Sequence, residues 1–93
     1  MPVVRRDYAF TVPEATPVGA ILGAVRRGVP GFVREVEVFD QYRGTGVQPG
    51  QKSLALRIVM QDTDRTLTDS EVEALVASVR EQLLQEFEAQ PRT

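Results

Sequence analysis

The chain contains no cysteine, no histidine and no asparagine. Without cysteine there is neither a disulfide nor a thiolate metal site. Without histidine the commonest general base and the commonest metal ligand are both missing. The lack of asparagine bears on hydrolysis. A small phosphatase site wants an arginine cradle plus a side-chain amide to hold water, and Gln41, Gln48 and Gln51 lack a clear partner geometry for that task. No stretch approaches the roughly 20 apolar residues of a membrane span, and the amino terminus lacks the basic-then-apolar pattern of a secretion signal. These absences point to a reduced, cytoplasmic setting and away from catalysis by this chain alone.

What is present suits one soluble domain with one modest core: 93 residues, 42% hydrophobic and 26% charged. The formal net charge of −2 is unevenly placed. The last expected helix holds Asp69, Glu71, Glu73, Glu81, Glu86 and Glu88 against Arg80 alone, whereas residues 1–68 carry nine basic and seven acidic side chains. A mildly basic remainder permits contact with phosphates without demanding it.

Residues 4–12 alternate with the strand period, Tyr8, Phe10 and Val12 on one face and Asp7, Ala9 and Thr11 on the other. Pro13 ends the run. Thr16-Pro17 opens a helix, with Thr16 as its cap and Val18, Ile21, Leu22 and Val25 as its buried stripe. Arg26 and Arg27 complement the dipole in its last turn, and Gly28 is the expected stop. A second strand, Val33 to Gly44, has a phase problem: Val36 and Val38 share one face, yet Phe39 falls on the face of Glu35 and Glu37. A bulge near Val38-Phe39 resolves it, turning Phe39 into the core and sending Asp40 and Tyr42 outward. After a glycine-rich loop, Lys52 to Gln61 alternates cleanly, Leu54, Leu56, Ile58 and Met60 inward and Ser53, Ala55, Arg57 and Val59 outward. Thr68 and Glu71 then form a capping box, with Leu67 and Val72 as its hydrophobic staple. The stripe Val72, Leu75, Val76, Val79, Leu83 and Phe87 follows. Residues 88–93 fit a short edge strand or a frayed tail.

The order predicts an α+β fold, a ferredoxin-like βαββαβ sandwich with an antiparallel sheet, two helices on one face and a fourth strand left open. The helices would cover Tyr8, Phe10, Phe39, Leu54, Leu56 and Ile58. The bare face would gather Asp7, Ala9, Asp40, Tyr42, Ser53, Ala55 and Arg57. An aromatic plate beside small residues suits a stacked nucleobase. Asp40 can accept from the ring N–H and amino group of a guanine, and Arg6, Arg43, Lys52, Arg57 and Arg92 can hold phosphates around it. The same pattern also describes an ordinary solvated sheet, or one that docks a protein partner through its face or edge. The glycine loop joins strand to strand, so it is weak as a phosphate cradle. Asp62 and Asp64 resemble only the start of a calcium loop, and paired carboxylates for glycoside chemistry would need a cleft that an open sandwich hardly provides.

Taken together, Arg5-Arg6-Asp7-x-Ala9-Phe10, Phe39-Asp40-x-Tyr42-Arg43-Gly44-x-Gly46, Lys52-Ser53-Leu54-Ala55 and Arg65-Thr66-Leu67-Thr68-Asp69 resemble one family. It is the ferredoxin-fold anticodon-binding domain at the carboxyl end of the bacterial phenylalanyl-tRNA synthetase β subunit. The resemblance spans nearly the whole chain in order and spacing. It implies that residues 1–93 are a single domain excised from a larger subunit of a class II synthetase. It also implies recognition of the anticodon stem-loop of phenylalanine tRNA, above all of its first anticodon base, a guanine. By that likeness Tyr42 would stack on the base, Asp40 and Ser53 would bond its edge, and Ala9 would line the floor. The rest of the β subunit and the α subunit are the implied protein partners. ATP, magnesium and phenylalanine would belong to other domains, leaving no cofactor here. Where the family closes with a glycine after the helix and an apolar strand residue before a final arginine, this chain has Glu88 and Pro91.

Overall fold

The computed structural model describes residues 2–92. Its elements run β1 (Val4–Pro13), α1 (Val18–Gly28), β2 (Val33–Tyr42), β3 (Gln51–Met60), α2 (Asp69–Phe87) and β4 (Gln90–Pro91). The sheet order β2-β3-β1-β4, antiparallel throughout, is ferredoxin-like. β3 is the organising strand, because all ten of its residues pair with β1, from Gln51 opposite Pro13 to Met60 opposite Val4. Its inward side chains Leu54, Leu56, Ile58 and Met60 meet Phe10, Val12 and Val36 beneath Ile21 and Val25 of α1 and Val72, Val79 and Leu83 of α2. Cross-strand burial of this kind is where a sheet gains most of its stability.

The helices are held differently at their starts. Pro17 occupies the cap of α1 and no side chain caps it; Thr16 instead closes a turn through its N–H to the Pro13 carbonyl. The expected Thr16 cap is therefore replaced by the Pro17 carbonyl, which accepts from Ala20. Gly28 is the last helical residue and Val29 the cap, in extended conformation. At α2 the capping box forms as its sequence predicts: Glu71 N–H donates to Thr68 Oγ1 at 3.2 Å and Thr68 N–H to Glu71 Oε1 at 3.0 Å. Leu67 and Val72 both enter the core. Arg65 adds a two-pronged ion pair to Glu71. Gln82 Nε2 donates to the Ala24 carbonyl at 2.9 Å, tying α2 to α1.

Strand β2 is bulged, as its phase demanded, with the register shifting between Val38, opposite Leu56, and Asp40, opposite Ala55. A second shift lies between Val33 and Glu35. One expectation is corrected. Phe39 does not enter the core: it is the extra residue of the bulge, it stays on the bare face at 44% exposure, and the Arg57 guanidinium covers its ring at 4.2 Å from the centroid. The bulge reverses the phase only for the residues after it.

The carboxyl-terminal segment resolves into a strand of two residues, β4, pairing Gln90 with Thr11 and Pro91 with Phe10. Arg92 N–H extends it by donating to the Ala9 carbonyl at 3.0 Å; Thr93 lies outside the described residues. Glu88 makes the turn into β4 in the left-handed conformation, φ 57° and ψ 31°, its N–H donating to the Leu84 carbonyl. Glycine would take that position without the Cβ clash that a side chain suffers there.

Two outcomes follow. Glu88→Gly should stabilise the fold by about 0.5–1 kcal/mol, the relief of the left-handed residue less glycine's greater unfolded freedom, read from the urea midpoint. The Arg65 pair, then the bonds from Thr68, hold the Glu71 carboxyl at about 2 against its usual 4.5. A lowered folded pKa adds stability that is complete above pH 4.5 and is lost as the pH falls toward 2. Glu71→Gln should therefore melt below the parent at pH 7, with the gap closing as the pH is lowered through that window.

Candidate nucleic-acid interface

The bare side of the sheet is set by alternation on three strands in register. Across it run three rows: Glu37–Arg57–Asp7, Asp40–Ala55–Ala9 and Tyr42–Ser53–Thr11. The structure thus brings Ala9, Asp40, Tyr42, Ser53, Ala55 and Arg57 onto one helix-free surface. The middle row puts alanines on β1 and β3, which leaves a low floor beside the exposed Asp40.

Tyr42 stands at one end of this floor, 39% exposed. Its hydroxyl donates to the Thr45 carbonyl at 2.9 Å, so the loop folds back on the ring. Gly44 allows that approach: its φ is +124°, and a Cβ there would sit 3.4 Å from the Tyr42 hydroxyl. The Arg92 guanidinium lies 5.1 Å from the centre of the Tyr42 ring. Arg92 makes no ion pair with any described residue. Beside it, Thr11, Pro13, Gly46, Gln51 and Gln90 line a groove of about 500 Å³ between the loop and β4. Ser53 lies on this face between Tyr42 and Thr11, but only 5% of it is exposed.

The cations expected around the floor separate into distinct situations. Arg57 is bonded at two points to Asp7, at 3.0 and 3.2 Å, and sits 3.9 Å from Glu37. The Asp7 bond raises its pKa further, so its charge is largely answered within the sheet. Arg43 pairs with Glu14 at 2.9 Å at the rim. Two others stand elsewhere. Lys52 is in register with Val12 on the helix side and is 5% exposed. Arg6 is in register with Ile58, also on the covered side, and its guanidinium lies 3.9 Å from Glu73 of α2. Period-2 alternation puts both on the wrong side to flank a ligand on the bare face. Asp62, weighed as a calcium ligand, accepts from the Asp64 N–H and lies 3.6 Å from Arg65. No group of three metal-ligating side chains occurs among the described residues.

Thr11, outward by alternation, is opposite Ser53, and Arg5 is opposite Val59 on the same surface. Phe39, expected in the core, is outward because of how the bulge turns.

A small-floored sheet face, one loop-braced tyrosine, the exposed carboxylate of Asp40 and an arginine with no ion pair among the described residues make a surface that suits a flat, polar ligand. The model of the ferredoxin-fold anticodon binding domain matches residues 1–92. The chain belongs to that family. It is similar to the phenylalanine–tRNA ligase β subunit of Thiobacillus denitrificans, 53% identical over 75 residues, 81% of this chain and 10% of that protein. The β subunit of Xanthomonas axonopodis pv. citri is 47% identical over 92 residues, 99% of this chain and 12% of that protein. That of a Synechococcus strain is 49% identical over 86 residues, 92% and 10% respectively. The anticodon-binding domain therefore spans about a tenth of the length of the curated relatives it matches. None of its helices, over the described residues, is long and apolar enough to cross a membrane.

The Asp7 clamp on Arg57 can be checked directly. Asp7→Asn should accelerate exchange of the Arg57 Nε–H and shift its NMR resonance, while the core methyls of Leu54 and Leu56 keep their positions.

Proposed function

We propose that this domain binds the anticodon stem-loop of phenylalanine tRNA as the non-catalytic, carboxyl-terminal part of a phenylalanine–tRNA ligase β subunit. In this reading the first anticodon base, a guanine, lies over the Ala9–Ala55 floor. The observation that carries it is the gathering of Tyr42, Asp40, Ala9 and Ala55 on the one sheet face that neither helix covers.

Each group has a physical task. Tyr42 offers a π-face whose tilt is restrained by the hydroxyl bond to Thr45. Asp40, exposed and opposite Ala55, supplies acceptors for the guanine ring N–H and amino group. An adenine presents an acceptor where guanine has its ring N–H, so the carboxylate discriminates between the two. Ser53 can bond the base edge once the ligand sits in the row it shares with Tyr42. Arg92 and the exposed side of Arg43 meet phosphates at the loop end. Arg57 steadies the floor through Asp7. Lys52 and Arg6 act from the far side of the sheet, on the fold.

The rest of the β subunit, the α subunit, ATP and magnesium belong to the assembled ligase in this reading, with aminoacylation performed in the cytoplasm by other domains. This domain contributes position. It fixes one end of the tRNA so that binding energy gained far from the chemistry orients the acceptor end.

Tyr42→Ala should weaken binding of a guanine-first anticodon stem-loop by about 1–3 kcal/mol, roughly 5- to 150-fold, with an unchanged NMR fingerprint of the core. Replacing the guanine by adenine should weaken the parent and leave little further to lose in Asp40→Asn. If resonances of Asp40, Tyr42 and Ser53 remain still throughout the RNA titration, the reading is wrong.

A further inference from the structure

We infer that Phe39 is a second stacking platform on the same face, taking an unpaired base of the RNA loop other than the one at Tyr42. The inference rests on the anticodon stem-loop reading above and extends it to a residue that reading leaves unused.

The bulge is the first reason. It places a phenylalanine on the solvent side of the sheet, 44% exposed, where alternation and burial would favour a polar side chain. Its ring is not loose. The Arg57 guanidinium packs against one of its faces at 4.2 Å from the centroid, and Arg57 is itself clamped by two bonds to Asp7. A ring so backed has its orientation set before any ligand arrives, so less is lost in ordering it on binding. An arginine against one face of an aromatic also adds an attraction that continues into a base stacked on the other face.

Spacing is the second. Phe39 and Tyr42 are three residues apart on β2, with Asp40 of the Asp40–Ala55–Ala9 row between them. At about 3.3 Å per residue their backbones stand at most ~10 Å apart. Single-stranded bases splayed over a sheet and stacked on two aromatics are an established way for small α+β domains to hold RNA.

Charge is the third. Around Phe39 the face carries Asp7, Glu35 and Glu37 against Arg57 and Arg5, a net negative end. That end disfavours phosphate and tolerates an uncharged base. Arg92, without an ion pair among the described residues, stands at the other end, beside Tyr42. The backbone of the loop is thereby drawn toward Arg92, and a base is turned toward Phe39.

The test uses this chain with an anticodon stem-loop RNA carrying 2-aminopurine at one loop position at a time, its stacking read by fluorescence. Phe39→Ala should cut affinity roughly 5- to 150-fold and abolish the fluorescence change at one loop position that Tyr42→Ala leaves intact. Phe39→Tyr should keep both; Phe39→Leu, which still covers Arg57 but has no π-face, should lose both. If Phe39→Leu behaves as the parent, Phe39 only shields Arg57 and the inference is overturned. It is equally overturned if Phe39→Ala binds as the parent while Tyr42→Ala does not, and in both cases the anticodon reading survives. Failure of the parent chain to bind the stem-loop at all would remove both.

Discussion

The register shift at Val38/Asp40 is the constraint on which the useful face depends. Before it, β2 sends Val36 and Val38 under the helices; after it, Asp40 and Tyr42 stand in row with Ala55 and Ser53 on the bare side. Without the extra residue, strict alternation would carry Asp40 and Tyr42 to the Val38 side. A one-residue slip exchanges the two faces of a strand, and a carboxylate pressed toward an apolar core without a partner is costly. The bulge lets one strand serve the core with its first half and the bare face with its second. β3 can tolerate it because the same strand is pinned along its whole length by β1.

An acidic protein can still meet RNA when its charges are sorted by side. The carboxylates of α2 lie on the helical layer, where Glu71 engages Arg65 and Glu73 lies near Arg6. On the bare face Asp7 and Glu37 answer Arg57. Arg92 is left without an ion pair among the described residues, close to the loop and to Tyr42. The overall charge of −2 conceals this arrangement. What matters to an approaching phosphate is the local field within about a Debye length, roughly 8–10 Å at ordinary salt.

The short fourth strand illustrates how a local defect is absorbed by its surroundings. Pro91 has no N–H to donate and Glu88 sits in a conformation suited to glycine, yet the segment still docks. Ala89 is buried in the core, and Arg92 N–H reaches the Ala9 carbonyl. Burial of one small side chain and a few backbone bonds outweigh a strained turn of about 1–2 kcal/mol. Arg92 reaches the Tyr42 ring from this docked segment, so the quality of that short strand bears on the site itself.

Much of this was legible in the residues. Alternation in β1 and β3 assigned the faces correctly, and the capping box located the start of α2. The clash of phase between Val38 and Phe39 announced the bulge. Such signals are local, carried by a period or by a side chain bonding its own helix end, so sequence alone determines them. The tertiary structure decided the rest. It kept Phe39 outside against Arg57 and engaged Arg57 with Asp7 fifty residues away. Those outcomes depend on which strand lies opposite which and in what register. Such pairing arises only when distant segments compete to bury their apolar faces together.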